Sequence, residues 1–156
     1  MDNPNPEIRQ VKRDVLRADS PLEETIYELL RDIRDPEHPN TLEELSVIEK
    51  ENISISEPEE FMKAVVSVRF VPTVPHCSMA SLIGLSIRSK IQDSDVLGED
   101  YKLDVEVMEG THDTGDEITK QLNDKERVAA ALENQILRGL VDDCLRGVAH
   151  LRVVPQ

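Results

Sequence analysis

A chain of 156 residues with 32 acidic against 18 basic side chains, a formal charge of -14, carries a surface that repels phosphate backbones, so direct nucleic-acid binding is disfavoured. Aromatic residues make up only 3% and tryptophan is absent, which also removes the stacking platforms of single-strand binders. No apolar run approaches the roughly twenty residues that span a bilayer, Met1 opens a polar stretch rather than a basic leader, and Cys77 and Cys144 form no CxxC pair. The expectation is a soluble protein of a reducing cytosolic or nuclear setting, without a disulfide and without membrane insertion.

Residues 1–19, with Pro4, Pro6 and scattered charges, read as a mobile tail. Ser20, Pro21 and Glu23 then supply a helix start, and Leu22, Ile26, Leu29, Leu30 and Ile33 predict one helical face running to about Arg34. Asp35-Pro36-Glu37-His38-Pro39 stops it, and Thr41 with Glu44 forms a capping box over a short turn. The pattern from Val47 to Ser56 loosens into alternation, and a stronger strand follows from Ala64 to Val71, so the two are expected to pair as an antiparallel hairpin.

Past Pro72 and Pro75, helical spacing begins at Cys77, with Met79, Leu82, Ile83 and Ile87 facing inward. Tyr101, Leu103, Val105 and Val107 alternate at period two, and Lys102, Asp104 and Glu106 give that strand a solvated face. A polar loop from Gly110 to Asp116 precedes one long helical stretch through Ile118, Leu122, Val128, Ala129 and Leu132, ended by Asn134. A last helix sets Ile136, Leu137, Leu140, Val141, Cys144, Leu145 and Val148 on a broad apolar stripe, with Cys144 in the core. The sum is a single α+β domain over residues 20–148, a small mixed three-stranded sheet packed with helices, with a helical crossover between the second and third strands and a tail over 149–156.

The chemistry concentrates at Cys77. At a helix start, unpaired backbone N–H groups and the positive end of the helix dipole favour the thiolate, the form that attacks electrophiles and binds soft metals. His76 beside it, His112 in the Gly110-Thr111-His112 loop and Glu37 are the candidate supporting groups. The plain alternative is that Cys77 is a small buried hydrophobe, that Gly110-Thr111-His112 is a capping turn, and that Asp35-Pro36-Glu37 is a helix stop. A thiol hydrolase would need a histidine base and an orienting group around Cys77, and no nucleophile signature is visible. Zinc would need Cys77, His76, His112 and a carboxylate such as Glu37 gathered by the fold, since their spacing is not that of a zinc finger. A stable [4Fe-4S] centre wants four thiolates, which one copy of this chain does not have, so only transient metal or cluster contact at Cys77 is expected.

The runs Arg34-Asp35-Pro36-Glu37-His38-Pro39, Thr41-Leu42-Glu43-Glu44-Leu45, Thr73-Val74-Pro75-His76-Cys77-Ser78, Leu82-Ile83-Gly84-Leu85, Gly110-Thr111-His112 and Asn123 through Asn134 occur in one order. Together they resemble the targeting-subunit family of cytosolic iron-sulfur protein assembly, in its Galla-type, broad-specificity branch. The resemblance spans about residues 22–146. It implies a non-enzymatic adaptor that joins a WD40 propeller protein and a HEAT-repeat adaptor and helps [4Fe-4S] clusters reach cytosolic and nuclear apo-proteins such as DNA helicases and polymerases. It further implies links to the excision-repair helicase, to chromosome segregation and to the Crumbs polarity protein, and a homodimer. The family's reactive cysteine maps onto Cys77, with no stably bound cofactor. A thiol-dependent enzyme using Cys77, or a scaffold between a polarity membrane protein and a helicase, is the alternative.

Overall fold

The computed structural model describes residue 8, residues 21–73 and residues 77–146, with the backbone alone for Cys77. The expected tails at 1–19 and 149–156, the Ser20 cap, His76 and Val148 lie outside the described residues. The elements run α1 (Leu22–Leu30), β1 (Ile53–Ile55), β2 (Ala64–Phe70), α2 (Cys77–Ser94), β3 (Tyr101–Val107), α3 (Gly115–Leu122), α4 (Lys125–Glu133) and α5 (Gln135–Arg146).

Alternation builds the sheet. In β2, Ala64, Val66, Val68 and Phe70 are buried, and in β3, Leu103, Val105 and Val107 are, so one face of each strand enters the core. The strand order is β1-β2-β3. β1 pairs antiparallel with β2, with Ile53 opposite Val68, and β2 pairs parallel with β3 from Ala64 opposite Tyr101 to Phe70 opposite Val107. The expected hairpin, helical crossover and mixed α+β sheet are all present. Fully buried Ile83, Ile87 and Ile91 of α2 share one cluster with Ile26 and Leu30 of α1, Phe70 of β2 and Val141 of α5.

Four details differ from the sequence reading, each for a tertiary reason. The first helix ends at Leu30, not near Arg34, because the backbone beyond it is taken by other partners: Arg34 N–H donates to the carbonyl of Cys144 at 3.0 Å, and Arg34 bridges Thr41. Arg31 is buried there against Glu28 at 2.5 Å and Glu43 at 2.8 Å, and Glu43 also accepts from the Tyr27 hydroxyl. Burial pulls the Arg31 guanidinium down, but the bond and charge of Glu43 and the charge of Glu28 outweigh it, and the net shift is upward.

The first strand covers only Ile53–Ile55, because Val47 and Ile48 reach the core from a turn and Lys50–Asn52 is 3-10 helix. The long helix expected through Leu132 divides at Asn123 and Asp124. The Asn123 amide pairs both polar groups of Val105, accepting from its N–H at 3.0 Å and donating to its carbonyl at 2.9 Å. Asp124 then caps α4 by accepting from Glu126 N–H and Arg127 N–H, and Ala129 is exposed. The α5 stripe is narrower than expected: Val141 and Cys144 are buried, whereas Ile136 and Leu140 are exposed. The Thr41 and Glu44 capping box is present, Thr41 N–H donating to Glu44 at 2.9 Å and Glu44 N–H to Thr41 at 3.2 Å.

Candidate functional site

Because β2 and β3 are parallel, both strands end at the same edge of the sheet, and α2 must begin there to cross over. Three segments meet at this edge. The first is the exit from β2, where Val71 N–H donates to the Val47 carbonyl at 3.0 Å and Pro72 and Thr73 are buried. The second is the loop from Asp35 to Asn40. The third is the loop after β3, fastened to β2 by Met108 N–H donating to the Phe70 carbonyl at 2.8 Å.

Asp35 ties the first two together. Its Oδ1 accepts from the backbone N–H of Glu37 at 2.8 Å and of His38 at 3.1 Å, and its Oδ2 accepts from the Thr73 hydroxyl at 2.9 Å. The carboxylate is 5% exposed, so it is a buried knot that fixes the loop and the approach to α2 together. The sequence offers Asp-Pro-Glu-His-Pro as a helix stop; α1 already ends at Leu30, and the Asx-type bonds of Asp35 shape the loop that follows. The reach to Thr73, on a segment 38 positions away, is what sequence spacing does not reveal.

Cys77 is the first residue of α2, as expected, so its backbone stands at the end of the helix where N–H groups lack intrahelical acceptors. Its side chain and His76 lie outside the described residues. His112 is half-buried in the third segment, where its Nδ1 accepts from Thr114 N–H at 3.1 Å, which leaves the proton of the neutral ring on Nε2. Thr111 braces the same turn, donating its hydroxyl to the Met108 carbonyl at 2.5 Å. These bonds close the loop on itself, and Thr114 at the N-cap of α3 makes no side-chain capping bond. The Nε2 atoms of His112 and His38 are nevertheless buried with no hydrogen-bond partner among the described residues, and sequence spacing gives no sign of His38 in that role. Glu37 is exposed and contributes its backbone N–H to the knot.

Among the described residues no three potential ligands gather to hold a metal ion. Cys144 is buried behind this edge, its carbonyl accepting from Arg34. Burial pushes its thiol up, a hydrogen bond with Ser86 offsets this in part, and the charges of Asp35 and Asp143 push it further. Cys144 is a core residue, as the sequence predicts.

A crossover helix whose first residue is Cys77, at a sheet end braced by a buried carboxylate and a histidine turn, makes a small α+β module. Residues 23–100 match the family described as iron-sulfur cluster assembly protein, a stretch that holds both the Asp35 loop and α2. The chain is 52% identical over 125 residues to MIP18 family protein galla-1 of Drosophila melanogaster, a match covering 80% of this chain and 56% of that protein. It is 53% identical over 120 residues to mouse cytosolic iron-sulfur assembly component 2B, covering 77% and 70% of the two chains. It is 45% identical over 153 residues to Protein AE7 of Arabidopsis thaliana, covering 92% and 94%. The protein belongs to the iron-sulfur cluster assembly protein family, and the resemblance read from its motifs is borne out.

Proposed function

We propose that this protein is a non-enzymatic adaptor in cytosolic iron-sulfur protein assembly, with Cys77 as its functional thiol and the [4Fe-4S] cluster as cargo in transient contact rather than a resident group. In this reading it joins a WD40 propeller protein and a HEAT-repeat adaptor, and serves cytosolic and nuclear clients such as DNA helicases and polymerases, with chromosome segregation depending on those clients. The observation that carries the reading is the start of α2 at Cys77, on the edge where the Asp35 and His112 loops converge, in a chain of the iron-sulfur cluster assembly family. A helix start stabilises a thiolate by the dipole and by free N–H groups, and a thiolate is the soft ligand that an iron site accepts.

The test replaces the endogenous protein with a Cys77→Ala variant, confirms its fold by thermal unfolding, and measures iron in a purified client helicase. The expected result is native unfolding with client iron at the level of a depleted cell. In the parent, alkylation of Cys77 should follow a pH midpoint below the free-thiol value of about 8.5. Full client iron in the variant would show that the thiol is structural, and a midpoint at or above that value would remove the activation.

A further inference from the structure

The opposite end of the sheet carries a basic cleft. Arg88 lies eleven residues along α2 from Cys77, about 16 Å at the helical rise, beside the starts of β2 and β3. There a cleft of about 600 Å³ opens between α2, the strand starts and the loop before β2. Its lining includes Arg88, Lys63, Lys102 and Lys125, with Asp95 the one acidic member among the described residues, on a chain whose net charge is -14. The three lysines are exposed and enter no ion pair among the described residues.

Arg88 itself is 7% exposed. Its Nη2 donates to the Leu103 carbonyl at 3.0 Å and to Asn123 Oδ1 at 2.5 Å, while its Nε is buried with no partner among the described residues. Burial lowers its pKa from the ordinary arginine value, and the charge of Asp104 opposes this only in part. The contrast with Arg31 is direct: that buried guanidinium holds Glu28 and Glu43, whereas no carboxylate closes on Arg88. A desolvated cation that makes no ion pair among the described residues, with Asp104 opposing its desolvation only in part, is relieved by an incoming anion.

The lip of the cleft is apolar. Phe61 is 99% exposed at φ +66°, a conformation that bulky residues rarely adopt, and Met62 beside it is also exposed. A strained, solvated aromatic next to a basic cleft has the composition of a docking anchor awaiting a partner surface.

We propose that this cleft grips an internal segment of a partner protein in which an aspartate or glutamate stands beside an apolar side chain. The carboxylate supplies the counter-charge that Arg88, Lys63 and Lys102 lack, and the apolar neighbour covers Phe61 and Met62. A bare phosphate would satisfy the cations and leave the lip exposed, and a nucleic acid would meet the acidic remainder of the surface. The proposal concerns what the protein holds and does not depend on the role of Cys77.

The test selects short random peptides displayed with their carboxyl ends fused to a phage coat protein, so that only side-chain carboxylates are on offer, against the full-length chain. The strongest binder is then synthesised with both ends blocked. Acidic residues adjacent to apolar ones should be enriched. Affinity should fall about tenfold, or 1.4 kcal/mol, in the exposed-rim variant Lys63→Glu/Lys102→Glu and weaken with salt. It should also fall in Phe61→Ser and stay unchanged in Cys77→Ala. The rim variants keep Arg88 in place, so the test survives if Arg88→Met fails to fold. Selection without acidic enrichment, binding indifferent to the rim charges, or displacement by inorganic phosphate or ATP at comparable affinity would each overturn the proposal, the last by showing a small-anion pocket.

Discussion

Thr73 donates its hydroxyl to Asp35 Oδ2 at 2.9 Å between two side chains that are both almost fully buried. Through this bond the exit from β2 and the loop after α1 become one rigid support for the start of α2. Replacing Asp35 by Ala removes the acceptor of three donors, the buried Thr73 hydroxyl and the part-buried N–H groups of Glu37 and His38. The expected loss is about 2–4 kcal/mol, because unsatisfied buried groups cost more than the net value of the bonds they made. Thr73→Val removes one donor and should cost about 1–2 kcal/mol. Urea unfolding of the variants checks this, and an Asp35→Ala midpoint close to that of the parent would show that the knot is not structural.

Gly84 sits where α2 meets α3, and a Cβ built on it would lie 2.3 Å from Leu122 Cδ1 and 2.8 Å from Cδ2. Alanine would improve helix propensity by about 1 kcal/mol, yet the buried Leu122 would have to leave its rotamer and push on the core. The clash is expected to win, with Gly84→Ala destabilising by about 1–2 kcal/mol. Leu122→Ala alone should cost about 2–5 kcal/mol as a cavity. The double variant should lose less than the sum by about 1 kcal/mol, since each change relieves the other. Additive losses would mean that the two residues do not contend for one space.

The elements with strong periodicity were legible in the residues: β2 and β3 each bury one face, and local pattern was enough to place Cys77 at a helix start, although α2 is buried on all sides from Leu82 to Ser89. The division at Asn123 was not, because a continuous helical pattern runs through it and the cause is a side-chain amide pairing Val105, 18 positions upstream. Likewise only the packing of α1 and α2 makes Arg31, Glu43 and Arg88 interior, which no local pattern announces. The Asp35 loop was found as a motif and its stop signal understood, while its bond to Thr73 depends on how β2 leaves the sheet. The place of the cysteine at a helix start singled it out and the family resemblance agreed, whereas the basic cleft around Arg88 has no contiguous signature, its cations coming from the edge of β2, the middle of α2, β3 and the start of α4.

Cys144 should make stability depend on alkaline pH. Its thiol is pushed above its ordinary value of 9.0 by burial and by the charges of Asp35 and Asp143, with Ser86 acting in the opposite direction. A folded pKa above the unfolded one means that the native state holds its proton more tightly. The contribution is therefore intact below the unfolded value and is lost as pH rises toward the folded one. Within that window the slope approaches but does not exceed about 1.4 kcal/mol per pH unit. Lysine and tyrosine titrations act in the same range, so the informative quantity is the difference between the parent and Cys144→Ala, both carrying Cys77→Ser. Below pH 8 the alanine variant should be the less stable of the two, having lost a packed sulfur, and as pH rises past about 9 the gap should narrow, because only the parent carries the contribution of this thiol. Guanidinium unfolding midpoints across that range measure it. A gap that stays constant from pH 8 to about 10.5 would mean that the buried thiol ionises as easily as a free one.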